Sequence, residues 1–202
     1  LVDYIQERTG ANNVEGSISP EFNNVKPARR ISRDVCGIGR GGIPVVISDR
    51  SYGLNFEFNQ EAKPDYVYVG TEDPDNLPDN MQLLVDAHVW KPRANVFPYF
   101  IASDAKELKN YDSPLKFIRL TYADLNDQTL EVLKSDKAVV VILSTHHANG
   151  LGAQRAFMHK LLSSGCDVPV ILHREYHETD IESLQIKAAA DMGAMILDGF
   201  CD

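Results

Sequence analysis

Short apolar runs recur along the chain from residue 43 onward, separated by polar segments. The run over residues 138–143 is continuously apolar, as expected for a strand that is covered on both faces of a sheet. Residues 11–35 are rich in Asn, Ser, Pro and charged residues and lack periodicity, so irregular structure is expected there. Eight runs are predicted to be strands, at residues 43–48, 66–70, 83–89, 96–102, 115–122, 138–144, 168–173 and 194–198.

Helical patterns alternate with the later strands. Asp127 is in position to cap a short helix. Residues 151–164 place apolar side chains on one helical face, and Gly165 is in position to end that helix. Thr179 and the Glu three residues later form a capping box that begins a third helix, which Gly193 is expected to end.

The alternation of strands and helices in the second half implies parallel strands joined by right-handed crossovers. The first half lacks this alternation, because residues 71–80 form a Pro- and Asp-rich segment. Together these patterns predict an α/β fold: a compact, partly degenerate (β/α)8 TIM-like barrel with some helices missing. A chain of 202 residues lies at the lower limit of that fold. An open, doubly wound parallel sheet is the alternative.

The composition is that of an ordinary globular chain, with 44% apolar and 24% charged residues. The 20 basic and 29 acidic residues give a net charge of −9, which disfavours binding to nucleic acid or to an anionic membrane surface. No apolar run reaches the roughly 18 residues that a membrane-spanning helix needs. The three cysteines, Cys36, Cys166 and Cys201, show no C-x-x-C spacing. Neither a disulfide framework nor a zinc site is therefore predicted, and a cytoplasmic location is expected.

The two ends of the sequence suggest a segment of a longer chain. The sequence begins at Leu1 without a signal-peptide pattern, inside an apparent helix that Gly10 closes. It stops at Asp202, shortly after the last predicted strand, where a crossover to a further element would follow. We therefore expect that the sequence is an excised piece.

The glycine-rich segment at residues 37–42 matches G-x-G-x-x-G as a string. The dinucleotide fingerprint requires a strand before the glycines and a helix after them, since the helix N-terminus receives the pyrophosphate. Here the glycines precede a predicted strand. A flexible or tightly turned approach to that strand is therefore expected, rather than nucleotide binding.

Polar side chains follow several predicted strands, at the strand ends where barrel enzymes build their sites. The adjacent His146 and His147 point to opposite sides of an extended chain, so at most one of them is expected to face a given site. Three interpretations stay open: a structural ring of polar and capping residues, a degenerate pocket, or a working site for a divalent metal or a phosphate. The residues of this candidate pocket are His88, His146, His173, Arg174 and Asp198, and Asp86 lies near the first of them.

Three segments resemble one enzyme family. Residues 180–202 (DIESLQIKAAADMGAMILDGFCD) resemble the end of the inserted middle domain in the long, plant-like form of 4-hydroxy-3-methylbut-2-enyl diphosphate synthase. Residues 168–176 (VPVILHREY) fit the preceding strand, and residues 3–10 (DYIQERTG) resemble the last helix of the family's catalytic barrel. The resemblance implies three parts: residues 1–10 as the end of that barrel, 11–42 as an irregular linker, and 43–202 as the inserted TIM-like domain.

The resemblance implies that the parent protein is an oxidoreductase of the non-mevalonate isoprenoid pathway. Members of this family open methylerythritol cyclodiphosphate and remove oxygen reductively, with electrons that flavodoxin or ferredoxin delivers through a [4Fe–4S] cluster. Their substrate lies in an N-terminal barrel, and three Cys and a Glu of a C-terminal domain hold the cluster. The resemblance therefore implies no catalytic, cofactor or metal residue in this segment, and its partners are the flanking catalytic barrel and iron–sulfur domain of the same chain.

Three functions stay open at the level of the sequence. The first is a non-catalytic spacer domain of the reductase, inactive when isolated. The second is an autonomous barrel enzyme that uses the candidate strand-end pocket for a metal or a phosphate. The third is an interaction module that mediates dimerisation or docks the electron donor.

Overall fold

Seven parallel strands form a single sheet at the centre of the structure. The computed structural model describes residues 2, 4–6, 30–54, 57–58, 63–72, 74 and 81–202. Strands that follow each other along the chain are neighbours in the sheet, and every neighbouring pair is parallel. The strands are β1 (Ile47–Asp49), β2 (Tyr66–Tyr68), β3 (Gln82–Asp86), β4 (Val96–Ile101), β5 (Lys116–Leu120), β6 (Val139–Leu143) and β7 (Val170–Leu172).

This strand order decides between the two predicted architectures. A doubly wound sheet contains a point at which the order of the strands reverses. The described strands run from β1 to β7 without such a reversal, so the doubly wound alternative is wrong. The first seven predicted strands and the α/β class are confirmed.

Helices follow the last three strands. α1 (Asp127–Ser135) lies after β5 and α2 (Gly150–Ser163) after β6. After β7, α3 (Ile181–Ala188) continues through a π-helical turn (Ala189–Gly193) into α4 (Ala194–Leu197). Short 3-10 helices occupy Ala102–Asn110 and Tyr122–Asp124. Among the described helices, none combines the length and the apolar character that crossing a membrane requires.

Polar side chains set the starts of these helices. The side-chain oxygens of Asn126, Asn149 and Asp180 each accept a hydrogen bond from the backbone N–H three residues further on. The predicted caps Asp127 and Thr179 are therefore wrong by one residue. In both places the neighbouring Asn or Asp makes the capping hydrogen bond instead.

The eighth predicted strand, residues 194–198, is helical, and this prediction is wrong. Gly193 has a helical φ of −58° and does not end the preceding helix. The three alanines at 188–190 favour helix strongly, and a four-residue apolar run fits a helix as well as a strand. Within this run Met195 is buried against the outer core. The helix ends at Gly199, whose φ of +72° suits glycine.

The connection between β3 and β4 is short and lies wholly within the described residues. Residues 87–95 join β3 to the parallel β4 without a helix. Trp90 of this connection packs over the outer face of β2 and β3, and its indole N–H donates to the Val96 carbonyl at 3.0 Å. Most of the predicted Pro/Asp-rich loop at 71–80 lies outside the described residues. The prediction expected some outer helices to be missing. Between β3 and β4 a compact turn takes the place of such a helix.

The sheet is strongly curled, so that its inner face closes on itself. The ring centroids of Tyr66 on β2 and Phe117 on β5 are 5.3 Å apart. Strands three positions apart in a flat sheet would be separated by about 14 Å. The seven strands therefore form an open half-barrel whose inner side chains meet across the axis.

Both faces of the sheet are buried, as the continuous apolar run in β6 predicts. Val140 points into the inner core with Phe117, while Val141 points into the outer core with Phe100. α1 and α2 cover this outer core, with Phe157 of α2 fully buried. Period-two alternation between two apolar environments explains why β6 shows no polar positions.

A two-residue hairpin plugs the amino-terminal end of the half-barrel. Val35 and Ile38 exchange backbone hydrogen bonds of 2.9 and 3.0 Å and bury their side chains in the inner core. Cys36 and Gly37 between them have φ values of +52° and +88°, as a tight hairpin turn requires. The string at residues 37–42 is therefore a tight turn and its exit, as predicted.

A buried ion pair joins this region to the end of the chain. The Arg30 guanidinium lies 3.2 Å from the Asp202 carboxylate, and both side chains are at least 95% buried. Asp202 also accepts from the Ser32 hydroxyl and from the Val170 N–H, and its own N–H donates to the Val170 carbonyl at 2.9 Å. Burial lowers the pKa of the Arg30 guanidinium, and the Asp202 carboxylate acts in the opposite direction.

We expect Gly39→Ala to destabilise the chain far more than Gly37→Ala. Both residues have positive φ, but a Cβ on Gly39 would lie 2.3 Å from the Arg33 carbonyl oxygen, whereas a Cβ on Gly37 meets nothing within 4 Å. Left-handed backbone alone costs about 1–2 kcal/mol. Urea unfolding should show that loss for Gly37→Ala and a clearly larger one for Gly39→Ala. Equal losses would contradict the packing described for Gly39.

We also expect Asp202→Asn to reduce the free energy of unfolding by about 3–5 kcal/mol, because it leaves the Arg30 charge buried without its counterion. Asp167→Asn is the matched control, since Asp167 pairs with Arg33 at 3.0 Å but is half exposed. That substitution should cost less than about 1 kcal/mol. Chemical denaturation of both variants measures the difference, and similar losses would argue against the buried pair.

Candidate ligand site at the carboxyl ends of the strands

A layer of polar side chains lines the inner face of the sheet where the strands end. Inner-core residues such as Ile47, Phe117 and Ile171 are each followed, two positions later, by a polar residue. Because side chains two apart on a strand share a face, these polar residues point toward the same mouth. We call this set the polar mouth; its members are Asp49, Tyr68, Asp86, Tyr99, Arg119, Ser144 and His173.

Two tyrosines form one side of the polar mouth. The rings of Tyr68 and Tyr99 stack with centroids 4.3 Å apart. The Tyr68 hydroxyl donates to the Asp86 carboxylate at 2.7 Å, so one acidic group of the mouth is already engaged. Burial raises the pKa of Tyr99 to about 12, so its hydroxyl stays protonated at physiological pH.

His173 is the half-buried imidazole of the polar mouth. Burial lowers its pKa from the ordinary 6.5, Glu175 opposes that shift, and Arg119 adds to it. The imidazole Nε2 lies 3.9 Å from the Glu175 carboxylate. His146, at the end of the neighbouring strand, also lowers the pKa of His173 and therefore lies close enough to interact with it. The sequence prediction placed these two histidines in one pocket, and the structure brings them together.

Of the other three residues of the predicted pocket, Arg174 lines one cavity together with His173, and His88 and Asp198 lie elsewhere. His88 is exposed in the turn after β3. Asp198 pairs with Arg155 of α2 at 2.7 Å, on the outer side of the sheet. Arg174 pairs with the fully buried Asp191 at 3.0 Å, which also accepts hydrogen bonds from the Tyr176 and Tyr4 hydroxyls.

The contacts of the Arg174 guanidinium hold neighbouring elements of the fold together. Its guanidinium crosses the start of α2 so closely that a Cβ on Gly150 would lie 1.4 Å from Nη1. The neighbouring His147 accepts the Asn149 N–H on its Nδ1 at 3.0 Å and so orders the same turn. Arg174 thereby ties the end of β7 to the π-helical turn that carries Asp191.

An open seam separates β1 from β7 below the polar mouth. A cavity of about 390 Å³ lies there and extends into the polar mouth. Apolar side chains, including Val45, Ile142 and Ile171, line most of it, and the polar part of its lining is formed by Asp49, Tyr68, Tyr99, Arg119, His173 and Arg174. Ile43 and Val46 before β1 are largely exposed, at 91% and 59%. Within the residues that the structure describes, no group of three or more His, Cys, Asp or Glu side chains has the geometry to hold a metal ion.

The sequence prediction overlooked Asp49, Tyr68, Tyr99 and Arg119 as members of a site. Arg119 in particular lies inside the strand KFIRL, where it follows two apolar residues and precedes Leu120. The available signal was strand alternation, which places Arg119 on the same face as Phe117, pointing into the half-barrel. A charged residue on an inward-facing position is unusual and therefore marks a site.

Fold and site together define a class: an α/β domain with a sequentially ordered, curled parallel sheet and a polar mouth at the carboxyl ends of its strands. No family model matches the chain, and no solved structure matches it. Curated relatives do match over its whole length, and all of those compared carry the same name.

Those relatives are named 4-hydroxy-3-methylbut-2-en-1-yl diphosphate synthase (flavodoxin). The protein from Parabacteroides distasonis is 65% identical over 202 residues, covering 100% of this chain and 33% of the relative. The proteins from Phocaeicola vulgatus and Bacteroides thetaiotaomicron are 44% and 39% identical, again over 100% of this chain and 33% of each relative. The chain spans about a third of the length of these relatives. Over its whole length the chain is similar to one segment of these relatives, and the predicted resemblance is confirmed.

We expect the stability of the chain to fall as the pH decreases through 6.5, in part because of His173. Folded His173 resists protonation since its pKa is lowered, whereas the unfolded chain takes up the proton near the ordinary value of 6.5. Between these two pKa values the unfolded state binds more protons, so the free energy of unfolding decreases as the pH falls.

NMR titration of the imidazole should give a His173 pKa below 6.5. Glu175→Gln should lower this pKa further, because Glu175 favours the protonated imidazole. His173→Gln should remove this part of the pH dependence of unfolding. A folded-state pKa above 6.5 would contradict the burial described for the ring.

Proposed function

We propose that this chain is a spacer domain inserted in a 4-hydroxy-3-methylbut-2-enyl diphosphate synthase and that it has no catalytic role of its own. In this proposal the residues before Arg30 connect to a catalytic barrel, and the residues after Asp202 lead to an iron–sulfur domain. The whole chain is 65% identical to a segment that makes up 33% of a longer synthase, and this similarity supports the assignment. A spacer needs a rigid core and a firm attachment; it needs no reactive group.

The observation that carries the spacer proposal is the meeting of Arg30 and Asp202. The backbone N–H of Arg30 donates to the Gly199 carbonyl at 3.1 Å, and the Arg30–Asp202 ion pair lies directly beside it. Two chain segments that meet at one end of a folded unit allow insertion into a host protein without distorting either partner.

The parent protein of this proposal is an oxidoreductase of the methylerythritol phosphate pathway. It opens the cyclic diphosphate and removes oxygen reductively with electrons from flavodoxin or ferredoxin. Its [4Fe–4S] cluster belongs to the iron–sulfur domain outside this segment. The names of the relatives, which specify the product and flavodoxin, support this activity. We place the enzyme in the cytoplasm, where the free cysteines Cys36, Cys166 and Cys201 stay reduced.

The proposal includes closure of the half-barrel by an eighth parallel strand between β7 and β1. The Asp202 N–H already donates to the Val170 carbonyl, as the first rung of such a strand would. β1 and β7 each leave one edge unpaired in the described sheet, and Ile43 and Val46 stand exposed beside the open seam. A strand in this seam would complete a TIM-like arrangement and cover these apolar groups.

Excision of residues 15–200 from the full-length synthase, with both flanking domains kept, tests the spacer role. Because a misplacement of about 1 Å can reduce a rate by roughly a hundredfold, turnover should fall by that order. The cluster content, measured from the visible absorbance, should persist, since its ligands lie outside the segment.

Cys36→Ser in the full-length protein is the matched control, since Cys36 is the exposed cysteine of the chain. It should change neither turnover nor cluster content. Unchanged turnover after excision would contradict the spacer role, and loss of the cluster in the Cys36 variant would contradict the domain assignment. A raised KM for flavodoxin at constant kcat would instead support the docking module.

A further inference from the structure

Arg119 is a strand residue whose positive charge has no acidic partner among the described residues. It is partly buried in the polar mouth, and within the described part of the chain it makes no side-chain hydrogen bond or ion pair. Burial of a charged group without a partner is unfavourable, so an unpaired guanidinium in a concave site indicates a missing anionic partner. The cations that do have acidic partners are Arg30, Arg33, Lys116, Arg155, Arg174 and Lys187.

The Tyr99 hydroxyl is a second group of this cavity that has no hydrogen-bond partner among the described residues. Tyr99 is only 7% exposed, and it contacts the Tyr68 ring by stacking. Its hydroxyl has no hydrogen-bond partner among the described residues, in contrast to the Tyr68 hydroxyl, which donates to Asp86. Tyr99 lines the cavity at the mouth, and its hydroxyl is not among the fully buried polar atoms, so this hydroxyl is available to a ligand there.

Asp49 supplies an acidic group on the opposite wall. It ends β1, four strands away from the β5 strand that carries Arg119, so the curl of the sheet places the two side chains on facing walls. One carboxylate oxygen of Asp49 accepts from the Ser51 N–H and hydroxyl, and no ion pair joins Asp49 to Arg119. Charges of opposite sign thus line the same mouth without meeting.

We propose that the polar mouth binds a small organic anion whose anionic group pairs with Arg119 and accepts from the Tyr99 hydroxyl, and whose hydrogen-bond donors face Asp49. The donor is a hydroxyl or an ammonium group. The opposing charges and the accessible Tyr99 hydroxyl together define this ligand chemistry. The site lies at the carboxyl ends of parallel strands, where α/β sheets bind ligands.

The balance of charge excludes a simpler ligand. The carboxylates of Asp49, Asp86 and Glu175 and the guanidinium of Arg119 all act on Tyr99 and therefore lie near one another. Arg174 also lines this cavity, but its charge is already paired with Asp191. Burial lowers the pKa of His173, so its imidazole adds no compensating charge near neutral pH. An anion without a hydrogen-bond donor would pair with Arg119 but would be repelled by these carboxylates. An anion with a donor on its far side satisfies both walls, so the donor is part of the recognition.

Three probes of matched length test the proposal on the full-length protein: β-alanine, 3-hydroxypropionate and propionate. They share a carboxylate and differ in carrying an ammonium group, a hydroxyl group or no donor. Hydrogen exchange of peptides over residues 119–126 and 173–180 locates the response in this mouth and separates it from sites elsewhere in the protein. The first two probes should bind roughly tenfold more tightly than propionate, as one added hydrogen bond allows. Their ranking identifies the donor as ammonium or hydroxyl.

Arg119→Gln should abolish protection by all three probes, and Arg119→Lys should restore it in part. Asp49→Asn should remove the preference for the probes with a donor and leave propionate unaffected. Arg40→Gln, at an exposed arginine of the loop beside the amino-terminal hairpin, is the matched control and should bind like the wild type. Circular dichroism of each variant confirms that it is folded.

Absence of saturable protection by any probe up to about 10 mM, the range of weak small-molecule binding, would overturn the proposal. Equal binding of all three probes would overturn the role of Asp49. Protection that survives Arg119→Gln would place the anion outside the polar mouth. None of these outcomes depends on turnover, so they test the ligand site independently of the spacer role.

Discussion

The inward curl of the parallel sheet is the constraint on which the other features of the chain depend. With both faces apolar, the sheet must bury two surfaces, and a short chain does not supply helices for both. Curling lets Tyr66 and Phe117 meet across the axis, so the inner face covers itself. The helices are then needed only on the outer face, where α1 and α2 lie. This division explains how β3 and β4 pair in parallel through a connection without a helix.

The curl also gives the two ends of the half-barrel different electrostatics. At the amino-terminal end the buried cations are paired: Arg30 with Asp202, Arg33 with Asp167, and Lys116 with Asp136. Arg33 and Lys116 also donate to backbone carbonyls and so join neighbouring elements. These charges hold the structure together because each has its partner. At the carboxyl-terminal end the polar groups converge but stay partly unsatisfied.

The sequence was sufficient to predict the strands, but it was not sufficient to predict the secondary structure of residues 194–198. Apolar runs bounded by turn residues predicted β1 to β7, since period-two burial leaves a clear pattern in sequence. The run at 194–198 was ambiguous because four apolar residues carry no distinguishing period, and the helix before it continues through Gly193. Of the candidate pocket residues, His146 and His173 lie near each other, as their places after neighbouring strands indicated. Arg119 and Asp49 were missed, because their meaning depends on which strands face each other across the curl.

A spacer role accounts for one end of this molecule and not for the other. Firm attachment explains the paired charges around Arg30 and Asp202, where the two chain segments meet. It gives no reason to keep Arg119 and the Tyr99 hydroxyl inside the mouth, since apolar side chains there would stabilise the core without the cost of an unpaired charge. The same strand, β7, carries Val170 at the attached end and leads into His173 at the mouth. The polar mouth therefore requires an explanation of its own, and a ligand that satisfies both of its walls provides one.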